Sequence, residues 1–148
     1  MATAPVSHAD SHGHGHHAPG FIEKYLWSTD HKMIAMQYLF TGMAMGLIGG
    51  FFAYAFRMQI AFPGIDVPGF GVVSPNEYNH LITNHGAIMI FWVAMPVLIA
   101  AFGNYLIPLM VGCDDMVFPK LNRLSYQIFL LSALILIASF FVPGGGFA

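Results

Sequence analysis

The chain has 148 residues, of which 57% are hydrophobic and only 8% are charged. Soluble domains carry about 25% charged residues, so this composition is that of an integral membrane protein. The formal net charge is −2 and the basic residues form no stripe, which excludes nucleic acid as a partner. Cys113 is the single cysteine, which excludes an internal disulfide framework.

The first 20 residues are of low complexity and rich in histidine, with five histidines at positions 8, 12, 14, 16 and 17. They contain too few apolar side chains to form a core, so residues 1–20 are predicted to be a flexible tail. A transition metal could bind such a tract, but a solvated tail is the simpler interpretation and no site is assigned to it.

The first of three apolar runs in residues 21–148 extends from about 33 to 56 without a charge. A bilayer core needs about 20 helical residues, so this run is long enough to cross it. Arg57 is predicted to end this span. A loop rich in proline and glycine follows, and near its end Ser74 could cap the next helix.

The second apolar run extends from about 78 to 110 and is longer than a perpendicular crossing requires. Pro96 lies near its middle and is predicted to kink it. The third run extends from about 124 to 142. An all-α membrane protein with three transmembrane helices is therefore predicted.

The positions of the basic residues predict the orientation of these helices, because lysine and arginine favour the cytoplasmic side. Two lysines precede the first span and Lys120 and Arg123 precede the third, whereas Arg57 is alone in the loop after the first. The amino terminus is therefore predicted to be cytoplasmic. Arg57 and His85 would then lie at similar depth near the outer surface.

His85 lies inside the second apolar run with few polar side chains near it. A polar group at membrane depth is costly without a partner, so this histidine is a candidate functional residue. Neutral imidazole is a common axial ligand of haem iron, and its second nitrogen then needs an acceptor, for which a main-chain carbonyl of a neighbouring helix is suitable. The alternative is a packing histidine that is satisfied by hydrogen bonds.

Small residues form a stripe on the first span, because Gly42, Gly46, Gly50 and Ala53 follow one another at spacings of four, four and three, and Arg57 continues the series. Such a stripe allows close helix–helix packing. Alternatively, the edge of a porphyrin lies against it and Arg57 donates hydrogen bonds to the polar substituents. Both interpretations can hold along different parts of one helix.

Three polar residues are expected near the cytoplasmic end, namely Asn104, Asp115 and Asn122. Two amides and a carboxylate at such a mouth could organise water and collect protons. The alternative is ordinary helix capping, for which Asn122 with Ser125 would suit the start of the third span.

Residues 21–148 resemble the amino-terminal part of subunit I of the haem–copper oxygen reductases, most closely an A-type cytochrome c oxidase. The resemblance rests on short motifs that occur in the family's order and spacing. In chain order they are Ser-Thr-Asp-His-Lys at 28–32, Tyr-Leu-Phe at 38–40, Thr-Asn-His-Gly at 83–86, Phe-Gly-Asn-Tyr at 102–105, Pro-Leu at 108–109, Asp-Met at 115–116, Phe-Pro at 118–119, Leu-Asn at 121–122 and Leu-Ser-Tyr at 124–126.

The arginine after the first span, Arg57, also matches the family, and the resemblance implies specific roles for it and for four residues of these motifs. His85 would be an axial ligand of the low-spin haem iron, haem a in cytochrome oxidases, and Arg57 would contact the formyl group of that haem. Asp115 would be the entrance of the cytoplasmic proton pathway, with Asn104 and Asn122 holding its water chain. The fold would be the first part of a bundle of about twelve helices.

The resemblance also implies a larger assembly. Haem a3 and copper belong to later parts of the complete subunit, so this segment alone lacks the oxygen-reducing site. The implied partners are the remainder of subunit I, subunits II and III, cytochrome c as electron donor through subunit II, and membrane lipid. The implied location is a bacterial inner membrane, with the amino terminus cytoplasmic, in preference to a mitochondrial one.

Several positions depart from the family pattern. Asp30 replaces the usual asparagine and Met33 the usual aspartate, while Asp114 and Arg123 alter the charge near the implied proton entrance. Gln59 argues against a bound calcium in the outer loop. Three alternatives remain open: a quinol oxidase of the same superfamily, a three-helix membrane anchor without redox chemistry, and a haem b anchor subunit, which would need a second histidine at membrane depth.

Overall fold

The computed structural model describes Gly20 and residues 27–142, and in this part of the chain every regular element is helical. The predicted flexible tail, apart from Gly20, lies outside the described residues. Three helical stretches are long and apolar enough to cross a membrane, which confirms the predicted three-helix membrane architecture. The elements are α1 (His31–Ala61), α2 (Pro75–Ala87), two π-helical segments (Ile88–Ala94 and Pro96–Ala101), α3 (Phe102–Val111) and α4 (Pro119–Ser139).

α1 is longer at both ends than the predicted first span. Asp30 caps its start, where the carboxylate accepts a hydrogen bond from the backbone N–H of Lys32. The membrane span was predicted to end at Arg57, whereas the helix itself continues to Ala61. A charged side chain marks the depth at which the chain leaves the hydrocarbon, but it does not break a helix, and the first helix breakers after it are the proline and glycine at 63–64.

The second span is one continuous helical stretch of 37 residues, Pro75–Val111. Ser74 caps it as predicted, because its hydroxyl accepts from the backbone N–H of Glu77 and the Glu77 carboxylate accepts from the backbone N–H of Ser74. At Pro96 the backbone widens into π-helical turns. Proline lacks an N–H, so irregular hydrogen bonding is the expected local response.

α4 begins at Pro119, five positions before the predicted start of the third span, because proline suits the first turn of a helix. The capping residue is Phe118, which makes no side-chain cap. Asn122 therefore lies inside the first turn, and the interpretation of Asn122 as the cap of this helix was wrong. Hydropathy marks where the apolar run starts, whereas proline marks where the helix starts.

α1 packs against all the other helical elements through two clusters of buried side chains. One cluster lies toward the His85 end of the molecule and includes Met45, Phe52, Leu81 and Ile88. The other lies toward the Asp115 end. It contains Ile34, Tyr38, Ala101 and Tyr126. Because lipid tails are as apolar as these side chains, close packing and interhelical hydrogen bonds stabilise such contacts more than removal from water does.

Candidate functional site

His85 reaches across from α2 to the backbone of α1. Its Nδ1 lies 2.8 Å from the carbonyl oxygen of Gly49. A carbonyl can only accept, so Nδ1 carries the proton and donates it, and Nε2 is left with its lone pair. The acceptor type predicted from the sequence, a main-chain carbonyl of a neighbouring helix, is confirmed.

Gly49 allows this bond because it has no side chain. A Cβ atom there would lie 3.1 Å from the sulfur of Met89 and 3.2 Å from Cγ2 of Ile88. A larger residue would therefore require Met89 and Ile88 to give way by a few tenths of an ångström. The glycine brings the two helices close enough for the imidazole of His85 to reach the carbonyl.

The rest of the imidazole is held by an aromatic neighbour. The ring of Phe56, two helical turns after Gly49, meets the His85 ring edge to face, with centroids 5.5 Å apart. Among the described residues, Nε2 of His85 has no hydrogen-bond partner. A half-buried imidazole with one nitrogen fixed and the other free has the arrangement of a metal-ligating histidine.

The stripe of small residues on α1 divides into a packed part and an open part. A Cβ atom on Gly42 would lie only 2.7 Å from Cγ2 of Val97, so Gly42 serves helix packing. A Cβ atom on Gly46 would make an ordinary 3.7 Å contact with Val93. Gly50 has no atom within 4 Å of its Cβ position. The helix-packing interpretation therefore holds for Gly42.

The open part of the stripe lies beside the residues that hold the histidine. Gly50 follows Gly49 in the chain and Arg57 follows Phe56, so both are rotated by about 100° from the face that touches His85. Gly50 and Arg57 are exposed. Within the described part of the chain, the guanidinium of Arg57 has no hydrogen bond or ion pair, so it is free to bind a polar group.

At the other end of α1, Asp115 is held by two donors on the same oxygen. Oδ1 lies 3.1 Å from Nδ1 of His31 and accepts from the backbone N–H of Met116 at 2.8 Å. The Met116 N–H, and to a smaller extent His31, hold the pKa of Asp115 below its ordinary value, against the opposing effect of desolvation. Asp115 therefore remains a carboxylate at neutral pH.

His31 is a functional candidate that the sequence prediction of the site did not include. It is only 2% exposed, its Nδ1 also lies 3.6 Å from Oδ1 of Asp30, and its Nε2 is buried without a partner among the described residues. A buried nitrogen of this kind is usually satisfied by water. The available signal was the position of His31 directly after a helix-capping aspartate.

Asn104 and Asn122 lie in the same half of the molecule as Asp115, but the structure does not join the three residues directly. Asn104 is 8% exposed, and the side-chain nitrogen of Asn122 is buried without a hydrogen-bond partner in the described part of the chain. No side-chain hydrogen bond recorded among the described residues links any two of the three. Buried amide groups of this kind are commonly satisfied by an ordered water.

Hydroxyl groups continue from Asn122 into the interface between α1 and α4. Ser125 donates to the Asn122 carbonyl at 2.6 Å, so its oxygen must accept from the hydroxyl of Tyr38, which is 3.0 Å away. Thr41 and Tyr126 form a second pair at 3.0 Å. The sequence analysis did not identify this row of hydroxyls, because the partners are 85 or more positions apart.

No group of three or more His, Cys, Asp or Glu side chains in the described residues could hold a bare metal ion. A single free imidazole nitrogen suits a metal whose other ligands come mostly from a macrocycle, because each axial position then needs only one protein atom. The open glycine face and the free guanidinium lie on the neighbouring surface of α1. These groups are compatible with a porphyrin.

Comparison with known proteins gives a consistent family assignment. Residues 33–148 match the family described as cytochrome c and quinol oxidase polypeptide I. The alternative cytochrome c oxidase subunit 1 of Bradyrhizobium diazoefficiens is 44% identical over 130 residues, covering 88% of this chain and 21% of the relative. Cytochrome c oxidase subunit 1 of Cereibacter sphaeroides is 38% identical over 162 residues, covering 95% of this chain and 29% of the relative.

A third relative is the haem–copper oxidase subunit I+III of Aeropyrum pernix, which is 42% identical over 127 residues and covers 84% of this chain. The chain spans only 15% to 29% of the length of these three curated relatives. The family match nevertheless covers most of the chain itself. The chain therefore belongs to the cytochrome c and quinol oxidase polypeptide I family, the subunit I family of the haem–copper oxidases.

Proposed function

We propose that this chain is the part of the catalytic subunit of a terminal respiratory oxidase that binds the low-spin haem and forms the cytoplasmic mouth for proton uptake. The observation that carries the proposal is the bond between Nδ1 of His85 and the carbonyl of Gly49. It fixes the tautomer in which Nε2 is free to bind iron, and it explains a polar side chain at membrane depth.

In this proposal, Nε2 of His85 is one axial ligand of haem a, and Gly46 and Gly50 provide the face of α1 against which the macrocycle lies. Arg57 donates to a polar substituent, for which the formyl group is suitable. When bound, the haem supplies an iron that gains and loses one electron. The support for this fit is the free Nε2, the open glycine face and the unpaired guanidinium.

The protein's own contribution at this site is orientation and polarisation. The Gly49 carbonyl holds the imidazole of His85 at one angle and increases the electron density on Nε2, because it accepts the Nδ1 proton. Phe56 covers one side of the ring and limits the access of water. Arg57 donates hydrogen bonds to the formyl oxygen, an acceptor that would otherwise lack a partner at membrane depth.

At the other end of α1, the proposed mouth takes up protons through Asp115. His31 and Met116 hold Oδ1 of Asp115, so the carboxylate has a fixed orientation toward incoming water. The buried amide of Asn122 and the Tyr38 hydroxyl then provide polar sites deeper along the interface of α1 and α4. Asn104 is the proposed contribution of α3 to the same water chain.

The activity of the whole subunit is part of the proposal. Four electrons and four protons would convert one O2 to two waters, coupled to proton pumping, at a centre of haem a3 and copper in the remainder of subunit I. Subunits II and III and cytochrome c would be the partners, in a bacterial inner membrane with the amino terminus cytoplasmic. The names of the relatives support cytochrome c as donor.

A quinol oxidase of the same superfamily is the second candidate, because the matched family includes both kinds of enzyme by description. The family assignment disfavours the two anchor-protein alternatives. The experiment that separates the oxidases is a reduced-minus-oxidised optical spectrum of the purified complex, followed by extraction of the haem into pyridine. Haem a supports the cytochrome c oxidase, whereas haems b and o support the quinol oxidase.

The variant that tests the site is His85→Ala in the same complex. We expect the absorption of the low-spin haem to disappear while the complex still assembles, because one axial ligand is lost. His80→Ala is the matched control, since His80 lies on the same helix, five positions earlier. An unchanged spectrum of the His85→Ala complex would remove His85 from the haem site.

A further inference from the structure

Arg123 connects the start of α4 to the segment that leads into α1. Its guanidinium lies over the ring of Trp27, 5.0 Å from the ring centroid, and its Nη1 donates to the Trp27 carbonyl oxygen at 3.3 Å. The two residues are 96 positions apart in the chain. Arg123 therefore holds both the side chain and the backbone of Trp27, as a planar guanidinium with several donors can.

The segment after Trp27 is ordered by its own hydrogen bonds. Ser28 accepts from the backbone N–H of Asp30 at 3.1 Å, and Asp30 accepts from the backbone N–H of Lys32 at 3.0 Å. His31 lies inside this run and contacts Asp115. Only three residues therefore separate Trp27 from His31, and two of them make these hydrogen bonds.

Two contacts therefore join the same two pieces of chain. The entry to α1 carries Trp27 and, as the first residue of the helix, His31, while the loop before α4 carries Asp115 and the first turns of α4 carry Arg123. A single contact with His31 would leave the exposed loop that carries Asp115 free to rotate about that contact. A second contact at a different point removes that rotation, so the contact of Arg123 with Trp27 restricts how His31 approaches Asp115.

We propose that Arg123 is a positioning residue for proton uptake: by holding Trp27, it keeps His31 on the carboxylate of Asp115. This inference rests on the proposed function of Asp115. It assigns a reason to a residue that departs from the family pattern, and it predicts that the effect of Arg123 depends on Trp27.

The competing explanation is that Arg123 acts only through its charge. The other charged or titratable residues that are near His31 and Asp115 in the chain are Asp30, Lys32, Cys113, Asp114 and Lys120. Removing a positive charge from this set would make the local potential more negative and raise the local proton concentration. If charge alone acts, removing it therefore shifts the pH profile of proton uptake to higher pH. The shift has the same direction whether the charge of Lys120 or that of Arg123 is removed.

The two explanations are separated by the rate of proton uptake as a function of pH, measured in the assembled oxidase. For Arg123→Gln we expect uptake to fall by about two- to fivefold at every pH, without a shift of the profile, which corresponds to the loss of one exposed cation–π contact. Trp27→Leu should slow uptake in the same way, and the double variant should be no slower than Arg123→Gln alone. Trp27→Phe should restore most of the rate, because it keeps an aromatic face.

Lys120→Gln is the matched control for charge, because Lys120 lies three positions before Arg123 and, in the described part of the chain, has no hydrogen bond or ring contact. The proposal would be overturned if Lys120→Gln and Arg123→Gln shifted the pH profile of proton uptake in the same direction while Trp27→Leu left the rate and the profile unchanged. Normal uptake in Arg123→Gln would also overturn it. Asp115→Asn, measured in parallel, separates a failure of the proposed function from a failure of the positioning role. Normal proton uptake in Asp115→Asn contradicts the proposed function itself. Slow uptake in Asp115→Asn with normal uptake in Arg123→Gln contradicts only the positioning role of Arg123.

Discussion

Replacing Gly49 by alanine tests whether the close approach of α1 and the second span holds His85, the histidine that we propose as a haem ligand. The added Cβ would lie 3.1 Å from the sulfur of Met89 and 3.2 Å from Cγ2 of Ile88. The end of the Met89 side chain can move at low cost, but Ile88 is fully buried and β-branched, so it is stiff. The helices must therefore separate slightly on the side of Ile88.

The expected magnitude follows from two opposing effects. Alanine in place of a helical glycine stabilises a helix by about 1 kcal/mol, whereas overpacking of a tight contact costs about 1–3 kcal/mol. The Gly49→Ala variant is therefore expected to lose about 0–2 kcal/mol of stability in total. A separation of about 0.5 Å would stretch the 2.8 Å bond of His85 to the outer limit of a hydrogen bond. Loss of such a supporting bond weakens metal binding by about 10- to 100-fold.

The assay is haem content per complex together with the midpoint potential of the low-spin haem. We expect Gly49→Ala to lower the haem content and to raise the potential, because the imidazole donates less electron density without its acceptor. Gly103→Ala is the control, since a Cβ there meets only Ile107 at 3.8 Å. Full haem content at an unchanged potential in the Gly49→Ala complex would refute the reasoning.

Three further expectations follow from the same geometry. Asp115→Asn should slow turnover and weaken proton pumping while both haems remain, which optical spectra and pumping assays in vesicles would check; undiminished pumping would exclude Asp115 from the pathway. Because the pKa of Asp115 is lowered in the folded protein, the contacts of its carboxylate should stabilise the protein fully above about pH 4. This stabilisation should be lost only as the pH falls through the pKa of Asp115 in the folded protein, which an infrared titration of the carboxylate would follow. Gly42→Ala should be less stable than Gly46→Ala by about 1–3 kcal/mol in thermal unfolding, because only the first places a Cβ against Val97 at 2.7 Å; equal stabilities would contradict that packing.

The membrane-spanning architecture could be predicted from the sequence because it depends on composition over long stretches. Helix ends could not, because Arg57 changes hydropathy without breaking the helix, and Pro119 starts a helix before the apolar run begins. Ser74 was predictable as a cap because its partner Glu77 is only three positions away. Local capping interactions and long apolar runs can thus be predicted from the sequence. Hydropathy predicts where the chain passes from water into lipid, and this position differs from the end of a helix.

The site was predictable in kind more than in detail. A main-chain acceptor for His85 follows from the chemistry of imidazole, but the choice of Gly49 depends on the register between two helices. The series Gly42, Gly46 and Gly50 was selected by spacing alone and does not include Gly49, whose carbonyl oxygen accepts the hydrogen bond of His85. His31 was missed because its partner Asp115 is 84 positions away, and no local pattern indicates such a contact.

The continuity of α1 has a consequence for how the two sites are related. One helix contributes the carbonyl that holds His85, at Gly49, and the side chain that holds Asp115, at His31. The 18 positions between them correspond to about 27 Å along an unbroken helix. Inserting one residue between them would rotate one end by about 100° and move it by about 1.5 Å relative to the other. The helix therefore sets the spacing and relative rotation of the proposed haem site and the proposed proton entrance, and no such insertion can preserve both contacts.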